Sequence, residues 1–573
     1  MNNNIDTIVI LVFSAFVLGI GMLFARTGRN LKSFFAGGEA VPWFIGGLSL
    51  FMSFFSAGTF VAWGSIAYKH GWVAITIQWT MCIGALVTAL YLAPRWKRTG
   101  ALTAAEFIRE RLGLPVQKTY IFIFTLVSVF IKGSVLYPVA RLVSASLDLP
   151  LVPCTIGLGL FMIAYTAVGG LWAVMVTDIL QFVVLSAAVF ILLPLSFDKV
   201  GGWEGFTQNV PDDFFDLLNG EYTFGFVLAF VIYHICYIGG NWTMVQRYTS
   251  VDSEKSARKV ALLFAGLYLI SPVIWMFPPM IYKAINPALT GLDTENAYLM
   301  ICKLVLPPGL LGLMLTGMYF STSASANTAL NVVSAVFTND IYKGMVNPAA
   351  SDKQLIRVAR GSSWFFGLGM IGIALLVPAA GGIVEVVLSI SAISGGPLLA
   401  PPLWALFSKR LNAKTTLWVT GIGLLVNLFF KILSPLLLGF KLSRGMETIV
   451  GVGLPLLFLL AYELWARSKN LIAAEYLTYL QTKEQKRIDA LEINEEEVVE
   501  IKRQNRFGLQ VIAGALLFTA VMLFILSLLT TSGAMITAII ATVVLLSALI
   551  PFVASRKVSV EVLVPVQENH PHE

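Results

Sequence analysis

A chain whose apolar residues run on unbroken for about 20 positions at a time has few folds open to it, because that length crosses a hydrocarbon core as a helix. This chain repeats such runs along nearly all of its 573 residues. They lie near 5–25, 43–69, 72–94, 119–147, 151–171, 173–197, 223–249, 258–285, 296–331, 355–379, 382–407, 413–437, 446–467, 508–530 and 533–555. That is about 15 candidate spans. In lipid every backbone polar group must be satisfied within the segment or in a closed barrel, and continuous rather than alternating apolar runs select helices. Composition points the same way: apolar residues are 57% and charged residues 12%, too little charge to coat a soluble chain of this length. The expected class is an all-α polytopic membrane protein in a lipid bilayer. The first run has no basic segment before it and is followed by Arg26 and Arg29, so it reads as a retained span rather than a cleaved leader.

Charge gives the expected orientation. With the N-terminus outside, one set of connections holds Arg26, Arg29 and Lys32, then Arg95, Lys97, Arg98, Arg109 and Arg111, then Arg247, Lys255, Arg258 and Lys259. Lys353, Arg357, Arg360, Lys409, Arg410 and Lys414 continue that set, whereas the long connection 198–222 on the other side carries six acidic residues against Lys199. This is positive-inside asymmetry, and with an odd span count it leaves the C-terminus in the cytoplasm. The net charge of +7 follows from it and gives no reason to expect nucleic acid as a partner.

Cys82, Cys154, Cys236 and Cys302 fall in or at the ends of apolar runs, and no Cys/His spacing resembles a metal site. Residues 468–506 form the one long charged stretch, with Leu471, Tyr476 and Leu480 at helical spacing. They read as a surface connector in the cytoplasm, with a docking site as the alternative.

Two runs look broken. The second contains Ser53-Phe54-Phe55-Ser56-Ala57-Gly58-Thr59, and the seventh contains Tyr237-Ile238-Gly239-Gly240-Asn241. Small and polar residues at membrane depth are tolerated where they line a cavity or meet another helix. The breaks are five spans apart, so two five-helix units beginning at them would have opposite topology, the arrangement of an inverted-repeat transporter with its site near the midplane. The bland alternative is close Gly/Ser packing.

Ionisable residues inside spans are expensive and mark functional sites by default. Lys132 lies midway through the fourth span, Asp178 near one end of the sixth, His234 in the seventh and Glu385 near the start of the eleventh. Asp178 reads as a helix N-cap or a cation ligand, His234 as a core imidazole or a pocket residue, and Glu385 as a snorkelling surface group or a pocket residue. Lys132 and Glu385 are also candidates to neutralise each other. The ninth span carries Ser321-Thr322-Ser323-Ala324-Ser325-Ala326-Asn327-Thr328, a density of hydroxyls that supplies hard oxygen ligands of the kind Na⁺ takes, or simply packs against small residues.

Several motifs together resemble the sodium/solute symporter family. They are Phe34-Phe35-Ala36-Gly37-Gly38, then Gly169-Gly170-Leu171-Trp172-Ala173-Val174 leading to Thr177-Asp178-Ile179-Leu180-Gln181, then Tyr237 followed by Gln246-Arg247. Leu330-Asn331 followed by Phe337-Thr338-Asn339-Asp340-Ile341-Tyr342 completes the set. The resemblance covers about residues 30–430. It implies the LeuT fold with two inverted five-helix repeats and extra helices at both ends. On that basis 1–30 is an extra N-terminal helix and 31–410 the transport core, with repeats near 43–197 and 223–407. Two further spans (411–467), a charged amphipathic segment (468–507), two last spans (508–555) and a cytoplasmic tail (556–573) follow.

Position by position, the resemblance implies a Na⁺ site between the second and ninth spans, from carbonyls of Met52, Phe55 and Ser321 and the Ser325 hydroxyl. The family's second hydroxyl falls at Ala324, which has none, and Thr322 or water is the substitute. Some members bind a second Na⁺, and Asp178 with Asn327 and Thr328 matches that arrangement, so one or two ions are expected. Thr59 and Gln78 match positions that contact sugar in the family's bacterial galactose symporter, and Tyr237 matches the aromatic gate beneath the substrate. His234 and Glu385 match pocket positions, and Lys132 adds a positive group that a carboxylate-bearing solute could use.

The expected function is Na⁺-coupled import of a small polar organic solute by alternating access, a sugar or sugar derivative first. An anionic solute such as a sialic acid or uronate, or an amino acid, stands as the alternative, and in a different class a membrane sensor built on the same fold. A channel would not need two matched breaks, and the clustered His or acidic motifs of a membrane enzyme are absent from the sequence. The expected location is the plasma membrane, a bacterial inner membrane; the sequence leaves the oligomeric state open.

Overall fold

A computed structural model describes residues 3–24, 41–101, 103–147, 149–164, 171–347, 349–489, 495–530 and 532–557. Within those ranges the side chains of Ala324, Ser325, Asn327 and Thr328, among others, lie outside the description. So do the 34–38 motif, Gly169 and Gly170, and the basic residues Arg26, Arg29 and Lys32.

Among the described residues the chain is helices and the turns that join them, with an isolated bridge between Asn219 and Tyr222 and no strand. Among the described residues nine helices are long and apolar enough to cross a membrane, one bent pair makes a tenth, and five shorter apolar helices lie in other apolar runs. The expected runs are helical where described, and some are divided. The run 296–331 is two helices, Ala297–Val305 and Leu310–Val336, separated where Pro307, Pro308 and Gly309 interrupt the backbone.

The helices fall into two packed groups. The first begins at α1 (Asn3–Phe24) only by sequence; its core is α2 (Trp43–Met52), its continuation α3 (Gly64–His70) and α4 (Val73–Thr99). After a short linking helix α5 (Ala104–Leu112) come α6 (Leu114–Leu147) and α7 (Leu151–Ala164), which belong to the second group, and then α8 (Leu171–Val200). The bent pair is α9 (Phe224–Gly240) and α10 (Trp242–Thr249), meeting at 53°. Then follow α11 (Glu254–Ile285), the short α12 (Ala297–Val305), α13 (Leu310–Val336), α14 (Asp352–Leu376) and α15 (Ile383–Ala405). α4 packs on α9 and α11, and α11 on α2, whereas α6 packs on α13, α14 and α7.

Helices α16 (Ala413–Leu438) and α17 (Arg444–Ser468), a surface helix α18 (Ala474–Asp489), α19 (Glu495–Leu529) and α20 (Ala534–Arg556) complete the chain. Burial separates centre from rim: 67% of the apolar window of α4 and 61% of that near α8 are buried, against 17% for α16 and 22% for α20. The rim helices turn Leu436, Leu437, Leu438, Leu528 and Met535 outward, which is what a lipid-facing surface requires. All four cysteines are buried and free, as small core hydrophobes.

Candidate functional site

The second span breaks where the sequence indicates. The α-helical ladder of α2 ends at Met52, after which Phe54 N donates to Phe51 O and Phe55 N to Met52 O in tighter turns before Thr59 N restarts on Ser56 O. Ser and Gly residues permit this because their short side chains can satisfy or tolerate exposed backbone. Thr59 does so directly: its hydroxyl donates to Phe54 O at 3.2 Å and accepts from Ser56 N at 3.2 Å.

Helix α13 lies against the break. The Ser321 hydroxyl donates to Phe55 O at 2.7 Å, and Ala57 N donates to the Thr322 hydroxyl at 2.9 Å while that hydroxyl donates to Met318 O. Phe55, Ala57, Ser321 and Thr322 are all buried. The second and ninth spans thus meet at the break, through backbone groups outside the α-helical ladder and the hydroxyls of α13 that bond them. Such a donor set offers only hard oxygen, which fits Na⁺. Ser325, Asn327 and Thr328 lie further along α13, where their side chains are outside the description.

Asp178 stands seven residues into α8, so the N-cap reading fails. Its Oδ2 accepts from the Ser49 hydroxyl at 2.6 Å and lies 3.7 Å from Arg247 Nη2. Arg247 also donates from Nε and Nη2 to Ser49 Oγ at 3.3 and 3.2 Å, and from Nη1 to Thr243 O. All three residues are buried, so α2, α8 and α10 are tied by one charged knot. Ser49 is a residue that sequence reading misses, and Arg247 is misread there as a surface charge. The available signal is the Gln246-Arg247 pair immediately after a broken helix.

The second break positions the aromatic gate candidate. Asn241 caps α10, its side chain accepting from Thr243 N at 3.0 Å. On the α9 side the Tyr237 ring packs at a tilt against Phe54 of the first break, centroids 5.0 Å apart, and against Tyr233 at 5.6 Å. One turn earlier, His234 Nδ1 is 2.7 Å from the Thr80 hydroxyl and its ring meets Phe230 edge-on. Helices α4 and α9 touch closely here, since a Cβ at Gly84 would lie 2.9 Å from the His234 carbonyl carbon. Gln78, on the same helix as Thr80, is buried and donates to Ala74 O at 3.2 Å. Tyr237 thus meets the first break through Phe54, while His234 and Gln78 lie on α9 and α4, which are joined through Thr80.

Glu385 does not join them through its carboxylate. It is held by Lys431 at 2.8 Å and Arg444 at 2.9 Å, with Lys431 shared by Glu447 at 2.9 Å and Arg444 by Glu221 at 3.1 Å. The candidate neutralisation of Glu385 by Lys132 gives way to this network, which links α15, α16, α17 and the 201–222 connection. Lys431 is missed in the sequence although it interrupts the apolar run Phe429-Phe430-Lys431-Ile432-Leu433, the same signal that marks Lys132. Lys132 sits midway along α6, next to Gly133, where α6 closes on Met370 and Ile373 of α14.

The model of the sodium:solute symporter family matches residues 34–423, more than half of the chain. The chain belongs to the sodium:solute symporter family. It is a multi-pass membrane transporter, not an enzyme. Curated relatives include a sodium/glucose cotransporter from Vibrio parahaemolyticus, 27% identical over 72% of this chain and 81% of the relative. A human sodium/iodide cotransporter is 29% identical over 74% of this chain and 68% of its own length. Among solved structures, a Na⁺-coupled sialic acid symporter in a substrate-bound outward-open state aligns with a TM-score of 0.66 at 21% identity, covering 80% of this chain and 97% of that one. Inward-facing Mhp1 aligns with a TM-score of 0.50 at 13% identity, covering 77% and 94%. These likenesses show the LeuT fold.

Proposed function

We propose that this transporter imports a small polar organic solute, a sugar or sugar derivative first, together with Na⁺ by alternating access. The observation that carries the reading is the contact of α13 hydroxyls with the backbone of the α2 break, because it joins the two helix groups through oxygen ligands. Na⁺ would be held there by carbonyls of Met52, Phe55 and Ser321 and the Ser325 hydroxyl. Asp178, Asn327 and Thr328 are proposed for a second ion. An ion bound between the groups favours whichever arrangement keeps α2 and α13 together, and it acts only through that difference in affinity. The solute would lie beside the breaks near Thr59, Gln78, His234 and Tyr237, with Tyr237 closing beneath it. The N-terminus is proposed to face outside and α18 the cytoplasm, so the membrane potential adds about 2.3 kcal/mol per charge per 100 mV to inward Na⁺ movement.

The named relatives carry glucose and iodide with sodium, and the solved neighbour carries sialic acid. A sugar is therefore the first solute to offer. Proteoliposomes loaded without Na⁺ should take up a labelled sugar, uronate, sialic acid or amino acid only when Na⁺ is added outside; uptake indifferent to a Na⁺ gradient would sink the proposal. Lys132 in mid-membrane favours a second reading, in which the solute bears a carboxylate. Lys132→Met should then raise the half-saturating concentration of an anionic solute by about ten- to a hundredfold, since losing one charge-assisted hydrogen bond is worth roughly 1.5–3 kcal/mol. A neutral sugar transported normally by the variant would assign Lys132 to packing.

A further inference from the structure

We propose that α18 is a built-in clasp that docks on α5 and restrains the opening of that end of the transporter. The family match ends at residue 423, so α18 is an addition to the transport core. It nevertheless folds back on that core through a specific set of contacts.

Lys486 Nζ reaches Glu106 at 2.5 Å and Glu110 at 2.6 Å, two carboxylates one turn apart on α5. Burial works against its charge, but the hydrogen bonds to Glu106 and Glu110 hold the Lys486 ammonium above the ordinary lysine range. The Tyr479 ring stands edge-on to Phe107 at 5.8 Å and 90°, and Arg111 lies 5.0 Å over the Tyr476 ring. Tyr476, Tyr479 and Lys486 recur at helical spacing and form one face of α18.

The same face reaches the turn between α15 and α16. Ala413 N donates to Glu475 at 3.1 Å, and just before the helix Ala473 N donates to Lys409 O at 3.1 Å. Arg111 joins the two docking points, since its guanidinium donates to Ser408 O at 2.6 Å and Leu411 O at 3.2 Å while covering Tyr476. Helix α5, the 408–413 turn and α18 are thereby held as one piece.

The position of α5 gives this piece leverage. It connects α4, which packs on α9 and α11, to α6, which packs on α13 and α14. Alternating access requires those two groups to move relative to each other, so the link must accommodate the change. Glycines with positive φ flank it, Gly100 at +72° and Gly113 at +91°, conformations that side-chain-bearing residues rarely adopt. A short helix between two such joints can swing, and α18 holds it in place.

The proposal rests on the alternating-access reading, and distances rather than uptake test it, so failure of Na⁺-driven uptake would count against that reading alone. The four native cysteines are buried, so exposed sites on the full-length protein can be labelled selectively. Spin labels at Thr478→Cys and Arg109→Cys report docking, and labels at Arg109→Cys and Lys255→Cys report the opening of this end, each measured with and without Na⁺. Lys486→Glu should broaden the first distance and raise the open population in the second by about threefold or more, and Lys486→Met should do the same less strongly. Glu106→Lys with Glu110→Lys and Lys486→Glu should restore both distributions. An undocked α18 with an unchanged open population would overturn the proposal, as would a first distance unaffected by either Lys486 variant.

Discussion

Arg247→Met should destabilise the transporter by about 3–5 kcal/mol, because it strands a buried carboxylate that, among the described residues, Ser49 alone then addresses. Asp178 and Arg247 are 7% and 3% exposed, so water cannot replace the missing partner. Asp178→Asn should cost a comparable amount by leaving the guanidinium unpaired. The double variant removes both charges and should recover much of the loss, since replacing a buried pair together is often close to neutral whereas breaking it is not. Thermal unfolding of the detergent-solubilised protein would read all three. Additive losses in the double variant would mean the two groups act independently. The cycle also separates two roles for Asp178. If it holds only Arg247, the double variant keeps the parent's Na⁺ dependence of uptake; if it also ligates Na⁺, the half-saturating Na⁺ concentration rises in every chain that lacks the carboxylate.

Legibility followed the range of the interaction. Span positions depend on local apolar runs, and all of these appear as helices where they are described. The breaks at 53–58 and 241 were equally legible, since the residues that interrupt the ladder sit within the interruption. Partners distant in sequence were not. Ser49 and Asp178 are 129 positions apart, and nothing local announces that a serine in an apolar helix will bind that aspartate. Glu385 shows the same limit: its charge was visible, but Lys431 and Arg444 reach it only because α15, α16 and α17 pack together. Glu295, which is buried, accepts from Tyr137 at 2.9 Å and Ile383 N at 2.9 Å, and it gives no signal because it reads as one more loop acid. The docking of 474–489 needed its partner helix too: the charges on both are ordinary until Lys486 meets Glu106 and Glu110.

Thr322→Val should separate the architecture of the α2 break from its proposed ion. The substitution keeps the shape but leaves Ala57 N, in a fully buried residue, without its acceptor at 2.9 Å. An orphaned buried donor costs about 1–3 kcal/mol, and that loss should be present with or without Na⁺ because the contact involves protein alone. Ser325→Ala should behave differently. Under the proposed ligand set it removes an oxygen from Na⁺ and leaves the break's own contacts intact, so the Na⁺-free protein should melt normally. What should shrink is the rise in melting temperature that saturating Na⁺ produces, since a bound ion stabilises only in proportion to its affinity for the folded state. The half-saturating Na⁺ concentration for uptake should increase in parallel by about tenfold, the equivalent of roughly 1.4 kcal/mol of lost ion binding. An unchanged Na⁺ response in Ser325→Ala, alongside a normal loss in Thr322→Val, would leave the break as a structural joint and move the ion elsewhere.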